Sequence, residues 1–237
     1  MIKIHWKILL IFLSILLVQS AEIPAQLTFM VGDVEVTRNN VVSKAQLNMN
    51  LLVGDVIQTK AESYGEIKFA NQSLVRLEPN SSLKIEQKEE TKSRKVTRLF
   101  VMLGEIVNKV TKMAKRDVYE VRTNSAQAFV RGTIFKLKVE EDGSSLFSVF
   151  EGKLGVKSLV AGAREMLMDK DFQGKITVGQ LAPVIERISP QELLKFKQQF
   201  KDFLERSAQF EKAIKELEDQ IEKNKYYQKA KKSCLFF

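Results

Sequence analysis

The sequence has 237 residues but only one histidine, His5, and one cysteine, Cys234. Without histidine beyond residue 5, histidine-dependent triads and Cys-His nucleophiles are excluded, as are ordinary zinc sites. A lone cysteine forms no internal disulfide. No P-loop is present, and no Gly-x-Gly-x-x-Gly opens a helix. Acidic residues are scattered, and nothing marks a pair set for glycoside hydrolysis. The expectation is a protein that is not an enzyme and needs neither cofactor nor metal. Hydrophobic residues make up 44% and charged residues 28%, a balance that supports a real core rather than wholesale disorder.

One long apolar run is present, and it comes first. Lys3 and Lys7 precede "ILLIFLSILLV", broken only by Ser14, and Gln19, Ser20 and Ala21 follow. A basic start, a short apolar stretch and a small-residue exit describe a signal peptide over residues 1–20. Ile8 to Val18 is short for a span of about 20 residues, so membrane contact would come only through this leader, left uncleaved as an anchor. No cysteine follows to carry a lipid. An exported protein without disulfides points to a bacterial periplasm or cell envelope. The terminal "CLFF" superficially fits a prenylation box, which an exported chain would not meet.

The net charge is +9, and the excess is spread along the chain. The one cluster is Lys223, Lys225, Lys229, Lys231 and Lys232, which suits either a solvated helix end or an anionic surface. Without a basic stripe interleaved with aromatics, nucleic acid is not an expected partner.

From about residue 21 to 188 the pattern is strand, turn, strand. Short apolar runs rich in valine and isoleucine recur roughly every ten residues, separated by turn formers such as Asn39-Asn40 and Asp142-Gly143. An element repeats: "VGDVEV" from Val31, "VGDVIQT" from Val53, and looser echoes "LGEIVN" from Leu103 and "EGKLGV" from Glu151. The apolar positions before Gly32 are odd (Leu27, Phe29, Val31), and after it they are even (Val34, Val36). Glycine therefore marks a register switch, a bulge or bend. Repeated bends predict a mainly β domain, a curled β-solenoid or a barrel-like sheet, over 21–188. "EMLM", "KITVG" and "APVIERI" read as its last strands.

At Ser189 the character changes. "SPQE" supplies an N-cap serine, Pro190 at the first helical position and Glu192 to close a capping box. No proline or glycine follows. From there apolar residues recur at alternating spacings of three and four. One seam position holds Leu193, Phe200, Ser207, Ile214 and Ile221. The other holds Phe196, Phe203, Phe210, Leu217 and Asn224. This predicts a long amphipathic, coiled-coil-like helix over 189–232, with a tail at 233–237. The seam has two readings: self-association into a homo-oligomer, or packing back onto the β domain.

Taken in order, the β motifs resemble the FecR-type domain, the periplasmic part of the ferric-citrate regulator family. The resemblance rests on Val31-Gly32-Asp33-Val34 and Gly54-Asp55-Val56-Ile57-Gln58-Thr59. It continues through Leu77-Glu78-Pro79-Asn80-Ser81-Ser82-Leu83-Lys84-Ile85 and Gly104-Glu105-Ile106. It ends with Val130-Arg131-Gly132-Thr133-Ile134-Phe135 and Val149-Phe150-Glu151-Gly152-Lys153-Leu154. Regulators of that family carry a sigma-factor-handling segment and a membrane span before this domain. Here only Met1 to Lys7 precede the apolar stretch, so signalling to a sigma factor is not carried over. The resemblance implies a non-catalytic envelope protein. Its β domain would bind a protein partner or an envelope glycan, and its helix would dock or self-associate. The alternative is a sensory component of transmembrane signalling related to iron-uptake regulation.

One residue looks misplaced. Phe129, Arg131, Thr133, Phe135, Leu137 and Val139 would share one face of a continuous strand, putting a guanidinium toward the core. In one reading Gly132 bends the strand and Arg131 is tied to an acid among the turn motifs: Asp33, Asp55, Glu78, Glu105 or Glu151. In the other, Arg131 sits at a domain edge and receives an anionic ligand. The residues carried forward as structural or ligand-binding are thus Arg131, Gly132, Thr133, Asp33, Asp55 and Glu151.

Overall fold

In the computed structural model the described residues are 25–91, 94–111 and 117–205. The leader and its cleavage point lie outside them. So do the lysine cluster and the seam residues Phe210, Ile214, Leu217 and Ile221.

The chain is mainly β. The first half contains β1 (Ala25–Val31), β2 (Val34–Arg38), β3 (Val41–Lys44), β4 (Asn50–Leu51), β5 (Val56–Thr59), β6 (Tyr64–Phe69), β7 (Leu74–Leu77), β8 (Ser82–Thr91) and β9 (Arg94–Lys109). The second contains β10 (Val118–Arg122), β11 (Ala126–Val130), β12 (Ile134–Val139), β13 (Ser145–Glu151), β14 (Lys153–Ser158), β15 (Met166–Asp169), β16 (Phe172–Ile176) and β17 (Val184–Arg187), followed by α1 (Pro190–Gln199).

Pairing divides the strands into two sheets. The first runs β4, β1, β6, β7, β9, β12, β13, β16, β17. The second runs β3, β2, β5, β8, β9, β10, β11, β14, β15. Among the described residues only β9 and β10 pair in parallel. β9 belongs to both sheets: its early residues pair with β8 and β10, its late ones with β7 and β12. Neither sheet closes on itself, which corrects the expected barrel. The two layers instead share one core. Leu27, Ile67, Leu77, Ile106, Phe135 and Phe147 from the first sheet meet Val36, Ile57, Leu83, Leu99, Val121 and Val156 from the second. Each such side chain, fully buried, stabilises by roughly 1.5–3 kcal/mol.

The repeated glycines are where the chain changes layer. It crosses from β1 to β2 at Gly32, within β9 at Gly104, from β11 to β12 at Gly132 and from β13 to β14 at Gly152, all with positive φ. At Gly104 (φ +89°) an added Cβ would lie 2.5 Å from the Ser81 Cα and 2.7 Å from the Asn80 carbonyl oxygen. The Ser81 hydroxyl accepts from the Glu105 amide at 2.9 Å and donates to the Glu105 carbonyl at 3.0 Å. The Thr59 hydroxyl joins the same knot, donating to the Glu78 carbonyl at 2.6 Å and accepting from the Ser81 amide at 3.0 Å. A second knot locks Gly132 to Gly152. A Cβ on Gly152 would strike the Gly132 carbonyl oxygen, and the Thr133 hydroxyl donates to the Lys153 carbonyl at 2.7 Å. The motif residues thus satisfy backbone groups at corners where the ladders are interrupted.

The expected parity around Gly32 needs one correction. A bulge lies between Leu27 and Phe29. It turns Met30 onto the core and pairs Phe29 and Val31 with Glu66 and Tyr64, on the outward face.

α1 begins as expected. The Ser189 hydroxyl accepts from the Glu192 amide at 3.2 Å, and Pro190 occupies the first turn. The helix is not uninterrupted: Phe200 leaves helical geometry (φ −106°, ψ 11°) before a further helical stretch at 201–205. The hydrogen bond from the Leu204 amide to the Phe200 carbonyl, 2.9 Å, carries the chain through this joint.

Candidate functional site

The strand carrying Arg131 is broken at the corner. Ala126, Ala128 and Val130 are buried before it, and Thr133, Phe135, Leu137 and Val139 after it. Parity switches at Arg131-Gly132, so Arg131 is exposed and the expected core-facing guanidinium is overturned. Gly132 is the bend the sequence called for, and Thr133 is the buried clamp.

Arg131 lies on the rim of an open groove of about 530 Å³ on the outward side of the second sheet. Phe129, Gly155 and Leu167 stand side by side in the ladders and form its floor. Glu165 folds over Gly155, where a Cβ would collide with its carboxylate. Lys153, also lining the groove, pairs with Asp169 at 2.7 Å. The groove therefore offers an apolar floor with charges of both signs around it.

Four of the five acids weighed as partners for Arg131 hold other cations. Asp55, 1% exposed, takes Arg38 in a two-point grip: Nε at 2.8 Å and Nη2 at 2.6 Å. Asp55 also accepts from the Leu52 amide at 2.8 Å. The hydrogen bonds from Arg38 to Asp55 hold the Arg38 pKa up against its partial burial. Glu105 faces Lys136 at 3.5 Å, and the half-exposed Asp33 faces Lys44 at 3.9 Å. Glu151 is exposed. Glu78 takes Arg76, a residue that strand patterning did not single out.

Arg76 sits on the outward face of β7, almost covered. Its Nε donates to Glu78 at 2.6 Å, and Nη1 lies 3.5 Å from Glu66. Its guanidinium carbon lies 4.2 Å from the centre of the Tyr64 ring and 5.6 Å from that of Phe200. Gln199 Nε2 reaches the other Glu78 oxygen at 3.4 Å. Burying two carboxylates with one guanidinium is tolerable only because each is paired and the ring faces favour the cation. The only sequence signal was "VRLE" lying under a helix not yet placed.

The described part of the helical seam packs onto the β domain. Phe196, Phe200 and Phe203 are buried with Val107, against Leu74, Ile134 and Phe150. Phe196 stacks on Phe150 with 3.4 Å between ring centres. Leu193 is only half-buried. These phenylalanines thus pack back onto the β domain, one of the two readings of the seam. Among the described residues no helix is long and apolar enough to cross a membrane, and no cluster of acidic, histidine or cysteine side chains is set to hold a metal.

The family model described as FecR protein matches residues 55–155, from the buried Asp55 to the floor of the groove. No curated protein matches the chain. Among solved structures, a candidate anti-sigma factor from Parabacteroides distasonis ATCC 8503 is similar in two crystal structures. The first, at 1.65 Å resolution, has a TM-score of 0.49 and 19% identity and covers 60% of this chain. The second, at 2.50 Å, has a TM-score of 0.48 and 18% identity and covers 59% of it. This chain spans 64% and 62% of the length of those two. The family match spans the corners at Gly104, Gly132 and Gly152 and the knots they tie, so residues 55–155 are similar to the FecR protein family, as the ordered motifs implied.

Proposed function

We propose that this chain is a non-catalytic module of the bacterial cell envelope whose FecR domain binds a partner protein, with the C-terminal segment for docking. The family match over residues 55–155 carries this reading. Two surface features support it. β3 pairs only with β2 among the described residues, and its Val41 and Val42 are 67% and 58% exposed. Such an edge accepts an added strand, the backbone supplying the hydrogen bonds. The groove beside Arg131 offers an apolar floor with charged walls, as protein-binding clefts do.

The same match favours a second reading, a sensory component of transmembrane signalling related to iron-uptake regulation. In that reading a separate membrane protein relays the signal.

The test is photo-crosslinking of the full chain in the native envelope, with probes at Val42, Arg131 and Leu194. A protein adduct from Val42 or Arg131 supports binding by the β domain, and an inner-membrane adduct supports the signalling reading. An adduct from Leu194 alone moves recognition to the helix. Retention on peptidoglycan without any protein adduct would replace the protein partner with a glycan.

A further inference from the structure

The helical segment crosses the first sheet in a definite direction. Ser189 follows β17, the last strand of that sheet. Phe196 lies on Phe150 of β13. Ile134 of β12 and Val107 of β9 belong to the same cluster. Gln199 reaches Glu78, just beyond β7, and Phe200 faces Arg76 of β7. The segment therefore steps over β13, β12, β9 and β7 in sheet order. The next strands are β6 and β1.

Helix rise and strand spacing set how far the next heptad reaches along the sheet. A helix rises about 1.5 Å per residue, and strands lie about 4.8 Å apart. Seven residues thus cover roughly 10 Å, or two strands. Phe203 is the last buried seam residue described, and the seam residue seven further on is Phe210, outside the described residues. On the outward face of β6 and β1 stands an aromatic pair: Phe29 and Tyr64 stack with 5.8 Å between centres and 22° between planes. Val31 pairs in register with Tyr64 and is 40% exposed. Tyr64 is already part of the docked interface, through Arg76.

We propose that the outward face of the first sheet at Phe29, Val31 and Tyr64 is a docking site for the next heptad of this chain's own C-terminal segment, with Phe210 as the residue it receives. The patch continues an interface that already exists, and the tether gives the chain's own segment a high effective concentration over a second copy. Beyond β1 only the two-residue β4 remains. The proposed site therefore has room for Phe210 and offers no described strand to Ile221.

The test uses the full chain with Cys234→Ser and a new pair, Val31→Cys with Phe210→Cys. Val31 is exposed enough for the change to spare the fold. Mild oxidation should yield an intramolecular disulfide at monomer mass. It should form at least tenfold faster than in a control pairing Val184→Cys, on the opposite edge, with Phe210→Cys. A disulfide formed only between chains would give the site to a second copy and overturn the proposal. No faster reaction than the control would also overturn it. As an independent readout, Phe210→Ala should speed hydrogen exchange several-fold at the amides of residues 29–31, and Ile221→Ala should not. Equal effects of the two substitutions would count against the site.

Discussion

The rings of Phe150 and Phe196 lie 5° from parallel, one next to the end of β13, the other past the middle of α1. This contact seats the C-terminal segment on the first sheet. Phe196→Ala removes the ring and leaves a void over Phe150. The expected loss is about 3 kcal/mol, near the lower end for buried phenylalanine because the helix can settle. Urea unfolding should report it, together with faster hydrogen exchange in α1 than in β12.

Two arginines should respond unequally to the same substitution. Arg76→Lys loses the fork shared by Glu66 and Glu78 and the flat contact with Tyr64. It should cost about 2–4 kcal/mol. Arg131→Lys, at an exposed corner, should cost less than about 1 kcal/mol. Thermal melts of the two variants side by side settle the comparison. A larger loss at Arg131 would refute the assignment of the buried tie to Arg76.

Much of the fold was legible because corners have strict backbone requirements. Gly32, Gly104, Gly132 and Gly152 announced themselves as glycines inside apolar strands, and each is a layer crossing. The helix start at Ser189 was equally plain, since capping chemistry is local. The side of each strand was harder to read. Arg131 looked core-facing because alternation was counted through a corner, and Phe29 looked internal because a bulge carries no signature in composition. Arg76 and Glu66 went unnoticed, and Glu78 was weighed only as a partner for Arg131, because the burial of this cluster depends on a helix more than a hundred residues later. The closure of the sheets was not readable either. Repeated bends suit a barrel and a two-layer stack alike, and only the pairings decide.

Glycine positions of similar backbone geometry should differ in cost according to what surrounds them. At Gly54 (φ +95°) an added Cβ meets nothing within 4 Å, so Gly54→Ala should cost about 1–2 kcal/mol of backbone strain. Gly104→Ala adds a collision with the Ser81 backbone, which is not the end of a flexible side chain. It should cost at least about 3 kcal/mol or prevent folding. Denaturation midpoints measured together test the difference.

Alkaline pH should destabilise the fold through Tyr119. Its phenol is fully buried, with the hydroxyl 3.2 Å from Asn108 Oδ1, and burial pushes its pKa up from the ordinary value near 10. The folded state therefore keeps this proton at pH values where the unfolded chain releases it. The contribution is complete below pH 10 and is lost as pH rises beyond that, by up to about 1.4 kcal/mol per pH unit. In Tyr119→Phe the basal stability should fall by about 1 kcal/mol, and the stability between pH 10 and 11.5 should decline less steeply than in the parent. Urea midpoints across that range, parent minus variant, isolate the one group from the lysines.

The shared strand β9 has a consequence for how the chain is made. When synthesis has reached Lys109, β7 and β8 can line one side of β9, but the other side waits for β10 and β12. A partly made chain would thus present an open sixteen-residue edge running through both future layers. Such an edge recruits any extended neighbour. The safest moment for β9 to order is after residue 139, when β12 is complete, so the chain gains by collapsing late and as a whole rather than half by half.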